Sequence, residues 1–145
     1  MINLDFGVLV DRPVKDVFVF VSNPNNMSQW NSAVVSLQQA TPGAAGVGTK
    51  FKTVGEMMGR RIEGEMQVTI YEPDTKCGFQ LQAGPMLVNL TLNFKTVGTG
   101  TKVSLNAQGN PGGIFKLAEG VMAGQIKSMM EGNLARLKTV LEKES

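Results

Sequence analysis

The chain contains no histidine. That absence removes Ser-His-Asp and Cys-His nucleophilic systems, HExxH zinc sites and the general base that ordinarily works near neutral pH. Proton chemistry would fall to Asp, Glu, Lys, Tyr, Arg or a bound water. Cysteine is nearly absent as well. Cys77 stands alone, which excludes an internal disulfide and a cysteine-rich metal site. Its inward strand parity is the pattern of an inert buried thiol rather than a nucleophile. Charge of one sign is also lacking, since 14 Lys and Arg stand against 12 Asp and Glu for a net +2. The basic residues are scattered, with Arg60-Arg61 the only adjacent pair, so no phosphate-tracking stripe exists and no nucleic-acid partner is expected. No uninterrupted apolar run approaches the ~18–20 residues of a membrane span, so no stable membrane insertion is expected. The opening MINLDFGVLVDRP is apolar but carries Asp5 and Asp11, without the basic leader and cleavage site of a signal peptide. A reducing, cytoplasmic setting is the expectation.

What is present suits a folded domain. The 145 residues are 42% hydrophobic and 18% charged, a balance that fits one globular unit over residues 1–145 with a sizeable core. Ile2, Leu4, Phe6, Val8 and Val10 fall on one side of an alternating INLDFGVLV run and predict a half-buried strand. In DRPVKDVFVFVSN, Pro13 suits a first helical position with Asp11 as a cap, and Val14, Val17, Phe18 and Val21 share a helical face. SNPNNMSQW repeats the device: Asn23 caps, Pro24 opens a short helix and Trp30 closes it.

From residue 33 the period becomes two, with turns at regular intervals. The strands read SAVVSLQQA, TKFKTVGEMM, RRIEGEMQVTIYE, KCGFQLQ, MLVNLTLNFK and TKVSLNAQ. After QGNPGG the period is helical to the end. Asn110 and Pro111 supply start signals, and Phe115, Ala118, Met122, Ile126, Met129, Met130, Leu134, Leu137 and Leu141 form one stripe. About thirty residues of helix span roughly 45 Å. Gly120, Gly124 and Gly132 interrupt it at roughly 1 kcal/mol each relative to Ala, which predicts close packing, a bend or room for another group. The architecture is α+β: an antiparallel sheet of about seven strands that curls around a long C-terminal helix, with short helices plugging one end.

Residues 43–50, GAAGVGTK, imitate the phosphate loop G-x-x-x-x-G-K-[ST] with the last two residues reversed. A phosphate loop works by running from a strand into a helix whose amides face the anion. Here the alternating TKFKTVGEMM follows, so the segment reads as a turn between strands and no nucleotide cofactor is expected.

DRPVKDVFVFVSNPNNMSQW after the first strand, VGTKF, EP at 72–73, the GTGTKVSL hairpin and the terminal LARLKTVLE together resemble the SRPBCC (START-like) superfamily, in its polyketide cyclase/dehydrase and lipid-transport branch. The resemblance covers essentially the whole chain. It implies a helix-grip fold, a deep cavity between sheet and long helix, and binding of a hydrophobic small molecule.

Strand parity then selects a lining. Inward positions include Phe51, Thr53, Met57, Ile62, Met66, Val68, Ile70, Phe79, Leu81, Met86, Val88, Leu90, Leu92 and Phe94, and the helix adds Met122, Ile126, Met129 and Met130. The expected ligand-contacting set is Trp30, Phe51, Met57, Met66, Val68, Phe79, Leu81, Met86, Leu90, Phe94, Met122, Ile126 and Met129. Methionine suits a surface that accepts varied ligands and equally fills irregular core gaps. Trp30 either edges an entrance or anchors the short helices. Tyr71, Glu63 and Glu65 take the outward parity, which weakens them as acids or bases, and Arg60 lies at a hairpin. No metal or cofactor is expected. Three readings follow: a binder or carrier of a lipid, polyketide or quinone-like molecule, a cyclase/dehydratase-type enzyme, and an accessory protein-interaction module.

Overall fold

In the computed structural model, residues 2–31, 34–43, 46–57, 60–83, 86–110 and 119–143 are described. Strand β1 (Ile2–Val10) alternates as its sequence demands, with Leu4, Phe6 and Val8 half-buried, Val10 buried, and Asn3, Asp5 and Leu9 exposed. Helix α1 (Val14–Ser22) follows and buries Val17, Phe18, Phe20 and Val21. Its start differs from the sequence expectation. Pro13 is the residue before the helix rather than its first member, and no side chain caps it. Asp11 does not supply the expected cap, and its backbone N–H donates to Glu142 Oε2 at 3.0 Å. The next start matches its signal. Asn23 Oδ1 accepts from the Asn25 N–H at 3.1 Å, and a 3₁₀ turn over Pro24–Asn26 leads into α2 (Met27–Trp30).

Six strands come next: β2 (Ser36–Gln39), β3 (Lys50–Met57), β4 (Arg60–Glu72), β5 (Lys76–Ala83), β6 (Met86–Val97) and β7 (Gly100–Asn110). With β1 they form one antiparallel sheet in the order β1-β7-β6-β5-β4-β3-β2. Successive strands therefore meander, and β1 joins the far edge against β7, from Ile2 opposite Gly109 to Val10 opposite Thr101. Strand β7 runs two residues beyond its clean alternation, because Gly109 pairs with both Ile2 and Val88. Asn110 thus ends a strand instead of starting a helix.

The GAAGVGTK segment enters β3 at Lys50, not a helix. Gly48 holds φ +91°, a conformation glycine adopts without steric cost, and its N–H donates to Val68 O at 2.8 Å. The sheet's own ladder thus fixes the turn. Ala44 and Ala45 lie outside the described residues.

Helix α3 (Glu119–Lys143) packs against β1 and α2. Its buried stripe runs through Met130, Asn133, Leu134, Leu137 and Leu141. The sequence stripe matches this from Met129 onward, while Phe115 and Ala118 lie outside the described residues. Two cations tie down the helix end. Arg12 Nη1 donates to Leu141 O at 2.7 Å, and Lys138 Nζ donates to Leu9 O at 2.8 Å. Gly124 and Gly132 are exposed with open space where a Cβ would stand. Of the three expectations at these glycines, close packing is not found at Gly124 or Gly132. No helix among the described residues is long and apolar enough to cross a membrane.

Candidate functional site

Residues directly opposite each other in an antiparallel pair share a face, so the register converts the strand list into rows. One row across the inner face reads Leu4, Ala107, Leu90, Phe79, Val68. Its neighbour reads Val88, Leu81, Met66, Phe51. Six of the side chains expected to contact ligand stand in these two adjacent rows. Phe51, Met66, Val68, Phe79 and Leu90 are buried, and Leu81 is half-buried. Phe94 lies two rows further along with Val103 and Val8. There Phe18 of α1 meets it edge-on, ring centroids 5.3 Å apart, so a protein side chain already fills that end.

On the helix layer, Met129 is half-buried against the core. The side chains of Met57, Met86, Met122 and Ile126 lie outside the described residues, as does that of Arg60. Trp30 is fully buried in the core at the end of α2. It is shut away from solvent.

Strand β4 breaks the parity rule. A register shift between Val68 and Ile70 inserts one residue, so Ile70 lies opposite Gly78 and Tyr71 opposite Cys77. Such a bulge moves everything beyond it to the other face. Ile70, expected inside, turns outward. A Cβ built on Gly78 would stand 3.2 Å from Ile70 Cβ and 3.1 Å from its Cδ1. Tyr71, expected outside, turns inward and meets Phe18 at 5.4 Å in an edge-on contact while staying 43% exposed. The next row thus reads Phe6, Leu105, Leu92, Cys77, Tyr71. Cys77 is fully buried there, and burial pushes its thiol up to about 12. It is protonated and inert at neutral pH.

No described Asp, Glu, Lys or Arg is buried. The buried polar side chains are amides and hydroxyls, and most have visible partners. Asn133 Nδ2 donates to Asn31 Oδ1 at 3.1 Å across the α2–α3 contact, and Thr101 Oγ1 donates to Arg12 O at 2.8 Å. Sequence reasoning passed over Asn133, although a polar residue between Met130 and Leu134 on the apolar stripe was its signal. One buried group stands apart. Trp30 Nε1 has no acceptor among the described residues, and an unmet buried donor costs of order 1–3 kcal/mol. No three His, Cys, Asp or Glu side chains among the described residues could hold a metal ion together.

A seven-stranded antiparallel sheet gripping a C-terminal helix, with short helices after the first strand, defines the helix-grip class. Within it, residues 1–142 match the family described as polyketide cyclase / dehydrase and lipid transport, and the chain belongs to that family. The structure is similar to that of XoxI from Bacillus cereus, with a TM-score of 0.76 at 10% identity over 97% of this chain and 96% of that one. It is similar to protein MLL2253 of Mesorhizobium loti, with a TM-score of 0.75 at 13% identity over 99% and 98%. It also resembles DynU16, a protein of the dynemicin biosynthetic locus, with a TM-score of 0.70 at 19% identity over 98% of this chain and 48% of that one. At these identities the likenesses establish the fold. No curated protein matches the chain in sequence.

Proposed function

We propose that the chain is a single ligand-binding domain that binds or carries an apolar small molecule, of lipid, polyketide or quinone type, between the sheet's inner face and α3. The carrying observation is the pair of adjacent apolar rows, Val68-Phe79-Leu90 and Phe51-Met66-Leu81, in a core with no buried carboxylate, Lys or Arg among the described residues. Such a surface rewards apolar area and offers no charge to orient a polar substrate. The family's lipid-transport description and a neighbour from a biosynthetic locus support the same reading. Native mass spectrometry of the purified protein, repeated under denaturing conditions, tests it. A mass excess lost on denaturation identifies a carried molecule. An unliganded mass that stays unchanged across a panel of fatty acids, quinones and aromatic polyketides would sink the carrier reading.

A cyclase or dehydratase reading rests on Tyr71, which the β4 bulge turns to the inner face. Its hydroxyl is an ionisable group that could move a proton during ring closure or water loss. Tyr71→Phe keeps the edge-on ring contact and removes the hydroxyl. Turnover of a poly-β-ketone probe that falls at least 100-fold in this variant, with probe affinity unchanged, would favour the enzyme.

A further inference from the structure

Trp30 is the starting point, because it breaks a rule the rest of the core keeps. Folded interiors pair nearly all their buried polar groups, and here Asn31, Asn133 and Thr101 all have partners. Trp30 Nε1 is buried with no acceptor among the described residues. The indole ends α2, which packs on α3, so it belongs to the helical layer of the molecule. A phenyl or methionine side chain would fill core volume without stranding a donor, so the N–H itself calls for a partner.

We propose that Trp30 Nε1 donates the hydrogen bond that fixes the oxygen-bearing end of the bound molecule; the inference rests on the ligand-binding reading above. The chemistry of the group narrows the ligand class. Indole N–H only donates, so it selects an acceptor such as a ketone, ester or quinone oxygen on an otherwise apolar body. It gives nothing to an ammonium or to a plain hydrocarbon. The nitrogen is closed to solvent, so the acceptor reaches it only when a neighbouring side chain shifts. Met130, 5% exposed, touches through its sulfur at 3.9 Å the same Asn133 that bridges to Asn31, and a methionine side chain can adapt to such a shift. Because the donor does not titrate, affinity for a neutral ketone stays flat with pH across the neutral range.

Trp30 is the chain's only tryptophan, which makes the test clean. Uniform 15N labelling gives one indole N–H signal, and residue-specific incorporation of benzothienylalanine replaces that N–H by sulfur at one site with nearly unchanged ring shape. Two matched pairs serve as probes: 9-fluorenone with fluorene, and 2-undecanone with undecane. We expect each ketone to bind about three- to tenfold more tightly than its hydrocarbon, the scale of one net hydrogen bond. The ketone should move the indole proton downfield, and the preference should vanish in the benzothienyl protein. Equal binding within pairs, an indole proton that does not move, or a ketone preference that survives the replacement overturns the role of Trp30 and leaves the ligand-binding reading standing. Failure of all four probes to bind overturns the role of Trp30, and the carrier reading falls with it only if the mass-spectrometry panel above is also negative.

Discussion

Cys77 shows how one buried side chain reports on the whole fold. Its thiol is raised from 9.0 to about 12 by burial alone. The folded state therefore holds this proton more tightly than the unfolded chain does. The associated stability is complete below about pH 9 and is lost as pH rises toward 12, at about 1.4 kcal/mol per pH unit. Denaturant titrations at about pH 8 and about pH 10.5 should show the decline, and Cys77→Ala should flatten it. An unchanged slope in Cys77→Ala would assign the decline to other groups. At this scale the sequence was legible wherever strict alternation held. Phe51, Met66, Phe79 and Leu90 fall where parity puts them. It failed past Thr69, because a one-residue bulge leaves no mark in a pattern of β-branched and aromatic residues that suits either face. Ile70 and Tyr71 traded places for that reason.

At the scale of the element, α3 carries the clearest expectations. Its exposed Gly132 has open space around the missing Cβ, so Gly132→Ala should stabilise by up to about 1 kcal/mol through helix propensity, read as a rise in thermal midpoint. Gly100 at the start of β7 is the opposite case. A Cβ there would stand 2.6 Å from Val10 O, a backbone atom that β1 holds in place, so Gly100→Ala should destabilise. A neutral result would mean that the β1–β7 end gives way easily. The last turn of α3 is sensitive to acid. Glu142 is held below the usual carboxylate range by the Lys138 ammonium at 2.6 Å and then by the Asp11 N–H at 3.0 Å. Its contribution is present above the unfolded carboxylate range and is lost as pH falls through the lower folded value. Glu142→Gln should weaken the tie at neutral pH and reduce the low-pH dependence, measured by denaturation across the acid range. The helix itself was legible from its 3.6 period. Its ties to Leu9 and Asp11 were not, since nothing local marks a contact across some 130 positions.

For the whole molecule, the proposed cavity makes core positions unequal. A leucine packed on all sides costs about 2–5 kcal/mol when truncated to alanine, and one that faces ligand space has fewer partner atoms to lose. Leu105 and Leu137, both fully buried, should fall in the upper part of that range as alanine variants. Leu90→Ala should fall near its foot while weakening ligand binding several-fold. Equal losses at all three positions would argue for a solid core throughout. The family and the fold order were readable in the chain because punctuating prolines, asparagines and glycines mark each change of period. The contents of the interior were not, because an apolar side chain facing a ligand and one facing another side chain obey the same pattern.

The pairing of β1 with β7 also dictates an order of assembly. Synthesis delivers β1 first, yet its partner residues run from Thr101 to Gly109. The remaining strands can zip in sequence as they emerge, each onto the one before it. The first strand must wait until nearly the whole chain exists, and α3, which packs on it, must wait with it. Closure over such a separation is slow, and until it happens the β7 edge is an unpaired template for other chains. Ribosome-bound chains ending before residue 100 should therefore be protease-sensitive throughout β1, and the first strand synthesised should be the last to become native.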